Sequence, residues 1–96
     1  MRRSNTRKID ELIRQVLKEN NLDGRLKEYE LVNSWEKVIG KSVANATTEI
    51  YIRNRKLFVK VRSSVIRNEL IMIREGLIRA LNREAQANII DDIVVR

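Results

Sequence analysis

Apolar positions along the chain repeat first at helical spacing, then at strand spacing, then at helical spacing again, and those changes divide it into elements. Ile9, Leu12, Ile13, Val16 and Leu17 recur at steps of three and four, with Lys8, Glu11, Arg14, Lys18 and Glu19 mostly on the other side. This is the pattern of an amphipathic helix of about four turns. Asn5 or Thr6 is placed to cap it, and residues 1–6 read as a short flexible basic arm ahead of it. Asn20 and Asn21 end the helix and Asp23-Gly24 mark a turn. Leu26, Leu31, Val32, Trp35, Val38 and Ile39 then carry a second helix to Gly40, expected as a left-handed carboxy-terminal cap. Residues 41–46 add a further short turn.

From Thr48 the period becomes two. Alternation sends Ile50, Ile52, Leu57, Val59 and Val61 to one side and Tyr51, Arg53, Lys56, Phe58, Lys60 and Arg62 to the other. With Asn54-Arg55 as a two-residue loop, the hairpin sets Arg53 opposite Lys56, Tyr51 opposite Phe58 and Glu49 opposite Lys60. One face builds a core, and the other holds two aromatic rings in a cationic field.

Ser63 or Ser64 caps a third, longest helix, on which Ile66, Leu70, Ile73, Leu77 and Leu81 form an apolar stripe, while Arg67, Arg74, Arg79 and Arg83 sit around the polar side. Residues 82–88 are expected as the turn out, and residues 89–95 as a closing strand in which Asp91 and Asp92 face opposite ways. The order helix, helix, strand, strand, helix, strand makes this an α+β chain. Its economical form is a three-stranded sheet with helices packed on one face, a single domain from residue 7 to residue 96.

Composition narrows the function. Lysine and arginine number 20 against 13 acids, for a net charge of +7, which points to an anionic partner. The surplus is concentrated in residues 53–62 and in Arg2, Arg3, Arg7 and Lys8 near the amino terminus. Cysteine and histidine are both absent, so thiol chemistry, Cys or His zinc sites and histidine acid–base catalysis are excluded. With no Walker loop and no converging carboxylates, an enzyme is the weakest reading; no cofactor and no small-molecule substrate are expected. No apolar run suits a membrane span or secretion signal. The expected address is therefore the cytoplasm, at the nucleoid if the partner is DNA.

With the elements placed, four stretches stand out together: Trp35-Glu-Lys-Val-Ile-Gly40 with Ala44 and Thr47, Lys56-Leu-Phe-Val-Lys-Val-Arg-Ser63, Arg67-Asn-Glu-Leu70 with Leu81-Asn82, and Ile93-Val-Val-Arg96. In their order and spacing the chain resembles the DciA family, bacterial partners of the replicative helicase. What the resemblance implies is a fold similar to the K-homology domain, binding to DNA, and help in loading or operating the replicative helicase. Where the family often has a tryptophan after the serine pair, this chain has Ile66. It also lacks a recognisable glycine loop of the K-homology kind, and it resembles the family's short form without a disordered tail.

The candidate contacts to nucleic acid, single- or double-stranded, are Arg53, Lys56, Lys60, Arg62, Tyr51 and Phe58 on the hairpin, Arg67 and Arg74 on the third helix, and Arg2, Arg3, Arg7 and Lys8 at the amino end. Four cations on one strand face repel one another, so a surface that keeps them together suits a polyanion. Tyr51 and Phe58 either stack on bases or serve as packing under a helix or against another protein. Trp35 shares a helical face with Leu31, Val38 and Ile39 and reads as core. Three functions stay open: a DNA-binding accessory of the helicase, an RNA- or single-strand-binding module of K-homology type, and a protein-interaction domain whose charge keeps it soluble.

Overall fold

The computed structural model describes residues 2–96, with side chains from residue 8 onward. Its elements are α1 (Arg2–Glu19), α2 (Asp23–Asn33), α3 (Trp35–Ile39), α4 (Lys41–Ala46), β1 (Thr47–Arg53), β2 (Lys56–Val61), α5 (Ser64–Met72), α6 (Arg74–Ala85) and β3 (Asp92–Val95). The strands form one sheet in the order β1-β2-β3, with β1 antiparallel and β3 parallel to β2. The chain is thus α+β with a mixed three-stranded sheet; the first expected helix is continuous, and the second and third are each divided in two.

The hairpin register follows from its loop. Asn54 and Arg55 take φ values of 53° and 62°, the doubly left-handed pair that matches the twist of two antiparallel strands. Arg53 lies opposite Lys56, Tyr51 opposite Phe58 and Glu49 opposite Lys60, until a bulge at Thr48 shifts the pairing. A left-handed arginine needs support. Its carbonyl accepts from the Asp91 amide at 2.9 Å, and its guanidinium donates to the Asn88 carbonyl at 3.1 Å and to the Asp91 carboxylate at 3.4 Å. The hairpin tip is thereby tied to the segment that leads into β3.

Leu57, Val59, Val61 and Ile93 from the sheet meet Leu31, Trp35, Leu70, Leu77, Leu81, Ala85 and Ile90 in one core, with Ile50, Ile52 and Val95 packed around it. The helices lie on the aliphatic side, because burying that side against their apolar stripes removes both from water. Trp35 is core, as its helical face implied. Its indole N–H donates to Thr47 Oγ1 at 3.0 Å, and that hydroxyl donates to the Val43 carbonyl at 2.8 Å. The one polar atom of the ring is therefore satisfied.

Several boundaries differ from the sequence expectation. Backbone helix begins at Arg2, where an arm was expected to run to residue 6; the side chains of residues 1–7 lie outside the described residues. The second helix breaks at Ser34, whose hydroxyl donates to the Leu31 carbonyl at 2.7 Å. Gly40 has a positive φ of 96° but an extended ψ of 161°, so it joins two short helices instead of making the left-handed helical cap. The third helix bends at Ile73, which turns outward and is 50% exposed. The bend keeps Leu70 and Leu77 both in the core and removes Ile73 from the stripe.

Ser63, not Ser64, caps α5, accepting from the Ile66 amide at 3.2 Å. The expected turn at residues 82–88 starts later, since α6 runs to Ala85 and ends at Gln86 with a φ of 57°. Residues 89–91 stay outside β3. Asn82 fastens them: its carboxamide oxygen accepts from the Ile89 and Ile90 amides, both at 3.0 Å, and its amide donates to the Ile90 carbonyl at 2.8 Å.

Candidate nucleic-acid interface

With all helices on the aliphatic side, the other face of the sheet stays bare. Alternation along three strands lays its side chains out in rows: Arg53, Lys56 and Asp92, then Tyr51, Phe58 and Val94, then Glu49 and Lys60, with Arg96 just past the end of β3. Arg53, Lys56, Lys60, Arg62 and Arg96 are exposed there. Two acids, Glu49 and Asp92, share the face. Among the described residues none of these five cations forms an ion pair; the ion pairs present are Arg25–Glu28, Lys27–Glu30, Lys37–Glu84, Arg55–Asp91 and Arg74–Asp92.

The aromatic pair is stacked face to face, with ring centroids 5.0 Å apart and planes 8° from parallel. Arg96, entering from the β3 side, lays its guanidinium 5.4 Å from the Phe58 centroid, close enough for a cation–π contact. Phe58 is half-buried between a ring from β1 and a guanidinium from β3, so its own faces are occupied. Tyr51, 38% exposed, keeps an outer face. A recess of about 90 Å³ opens beside the rings, lined by Glu49, Tyr51, Phe58, Val59, Lys60 and Arg96.

The remaining candidates divide. Arg62 donates to the Asn45 carbonyl, which steadies it at the rim. Arg67 is half-buried, with its Nε enclosed and without a hydrogen-bond partner among the described residues. Arg74 pairs with Asp92 at 3.8 Å, so part of its charge is already answered. Lys8 is exposed on α1, away from the sheet, and α1 packs chiefly along α2. The side chains of Arg2, Arg3 and Arg7 lie outside the described residues. The sequence reading passed over Arg96, although strand parity with Asp92 and Val94 places it on the face of Phe58.

A larger hollow of about 680 Å³ lies between the start of α2 and the hairpin tip, with Arg25, Arg53 and Arg55 on its walls but also Asp23 and Glu28. Its mixed charge sets it apart from the sheet face. Among the described residues no group of acidic side chains is arranged to hold a metal ion, and no helix is long and apolar enough to cross a membrane.

Helices on one side of a small mixed sheet and a bare face of cations and stacked rings on the other define the class: an α+β domain with an open, electropositive sheet. The family model described as Dna[CI] antecedent, DciA, matches residues 8–95, nearly the whole chain, and the chain belongs to that family. No curated protein matches it.

Proposed function

We propose that the chain is a non-catalytic accessory of DNA replication that binds DNA on its open sheet face and assists the loading or operation of the replicative helicase. The observation that carries the DNA part is the set of Arg53, Lys56, Lys60, Arg62 and Arg96, all exposed on one face that holds only two acids and without ion pairs among the described residues. Lysine and arginine held together at the cost of mutual repulsion gain most from a polyanion, which releases its counterions when they bind. Phosphate contact is the main term. Tyr51 is the ring left free to take a base, because Phe58 is enclosed on both sides, and a single stacked base adds about 1–3 kcal/mol.

The helicase part rests on family membership. A feature unrelated to DNA agrees with a protein partner: Ile9, Leu12 and Val16 make an apolar stripe on α1 that stays 57%, 60% and 45% exposed. The fold serves as a sheet platform, with strand aromatics and cations facing the nucleic acid, and not through the glycine loop by which a K-homology domain clamps the backbone. Since the sequence carries no Walker loop, energy for strand separation comes from the partner.

The test measures binding of labelled single- and double-stranded DNA and of RNA of the same length, then loading of the cognate helicase onto a DNA fork with and without the protein. Salt-sensitive DNA binding together with faster loading supports the proposal. RNA affinity well above DNA affinity, with no effect on the helicase, would replace it by a single-strand RNA module.

A further inference from the structure

β1 is the outer strand of the sheet: β2 covers one of its edges, and among the described residues no backbone hydrogen bond reaches the other from outside the hairpin. The pairing scheme decides which groups that free edge presents. Arg53 and Lys56 close the two-residue loop and so form a hydrogen-bonded pair; by alternation Tyr51 with Phe58 and Glu49 with Lys60 do the same. Ile50 and Ile52 therefore point their N–H and C=O groups away from β2, to the open side.

We propose that this edge pairs with the same edge of a second copy of the chain, antiparallel and centred on Tyr51, to give one continuous six-stranded sheet. In that register Ile50 of each copy bonds Ile52 of the other, for about four backbone hydrogen bonds. Tyr51 meets its counterpart on the two-fold axis, and Glu49 meets Arg53 twice. Glu49 and Arg53 are exposed and make no ion pair among the described residues, so this register gives each a partner. Sliding by two residues sets Arg53 against Thr47 in one direction and carries Glu49 past the strand end in the other. The bulge at Thr48 bounds the pairing to residues 49–53, as bulges do at strand edges.

Opposed residues of antiparallel strands share a face. The two bare faces therefore merge, and Phe58, Tyr51 and their two counterparts form one row of rings. In the dimer the outer face of Tyr51 is covered by its counterpart, so a base takes that face only in the monomer; the pairing itself stands on strand geometry and charge and does not need the nucleic-acid reading. A strand pair this short buries less than a standard interface, so the association is weak and concentration-dependent.

Because the chain has no cysteine, single cysteine variants report the register directly. Positions facing each other across a non-hydrogen-bonded pair have Cα atoms roughly 4.5 Å apart, within the span of a disulfide. Under mild oxidation at high protein concentration, Tyr51→Cys is expected to cross-link at least ~10-fold faster than Glu49→Cys or Arg53→Cys alone, and a mixture of those two to give the mixed dimer at the fast rate. Sedimentation equilibrium supplies the second readout. Glu49→Arg is expected to weaken self-association at least ~10-fold, and Glu49→Arg with Arg53→Glu to restore it, with circular dichroism confirming a native fold in each. Equal cross-linking at the three positions, or a double variant no better than the single one, overturns the proposal, as does a strictly monomeric wild-type protein at millimolar concentration.

Discussion

Reversing three charges on the open sheet face, with Lys56→Glu, Lys60→Glu and Arg62→Glu combined, gives the sharpest test of where phosphate sits. Five exposed cations line that face: Arg53, Lys56, Lys60, Arg62 and Arg96. If each neutralises one phosphate, the log–log dependence of affinity on salt has a slope of about −3.5 for single strands and about −4.5 for duplex. A fourfold rise, from about 50 to about 200 mM, then weakens binding about 100-fold and about 500-fold respectively. The variant retains Arg53 and Arg96 as cations, so its single-strand slope falls to about −1.4 at most and the same rise costs only about sevenfold. Its three carboxylates repel the backbone as well, and affinity at the lower salt is expected to drop at least ~100-fold. All three side chains are exposed, so the fold should hold. The main structural cost is Lys60→Glu opposite Glu49, up to about 1 kcal/mol for a like-charge cross-strand pair. Fluorescence anisotropy on labelled oligonucleotides at several salt concentrations measures both slopes, with circular dichroism as the folding control. A folded variant with the wild-type slope would remove phosphate from the sheet face and move it to the basic amino end, beginning with Lys8.

Other perturbations probe what holds that face in place. Asn82→Ala removes a carboxamide that bonds both amides and one carbonyl of Ile89 and Ile90; urea unfolding is expected to show a loss of about 2–3 kcal/mol, and a loss below about 0.5 kcal/mol would mean water replaces the clip. Leu81→Ala opens a fully buried position between α6 and the sheet and should cost about 2–5 kcal/mol in the same assay. The Tyr29 phenol donates to Asp10 and ionises above the usual tyrosine range, first because of that hydrogen bond and next because of burial, with the Asn33 hydrogen bond and Arg14 acting the other way. The folded state thus holds this proton more tightly than the unfolded one. Its contribution is complete below the ordinary tyrosine pKa and is lost as pH rises through the raised one. Phenolate absorbance of a Tyr51→Phe variant, in which Tyr29 is the remaining tyrosine, should titrate late, and adding Asp10→Asn should bring the midpoint down. An unmoved midpoint would refute the contact that ties α1 to α2.

The sequence alone determined whatever depends on neighbours in the chain. Period-two alternation with a two-residue loop set the hairpin register, placed Ile50, Ile52, Leu57, Val59 and Val61 inward, and put Tyr51 beside Phe58 among cations. Residue type and spacing also carried the family resemblance, since Trp35 to Gly40 and Lys56 to Ser63 are contiguous. Only the tertiary structure decided what depends on groups far apart in the chain. Asp91 and Asp92 pair with Arg55 and Arg74, leaving Arg53, Lys56, Lys60 and Arg62 without ion pairs among the described residues, because the parallel return of β3 brings those acids to the hairpin tip and the start of α6. The same return puts Arg96 against Phe58 and closes a ring that strand propensity alone left open. Helix periodicity ran straight through Ser34 and Ile73, yet both helices bend there, since a stripe must follow the twisted sheet it covers. Local pattern fixes which side of an element is apolar; only the packing of elements fixes which charges meet and which remain bare.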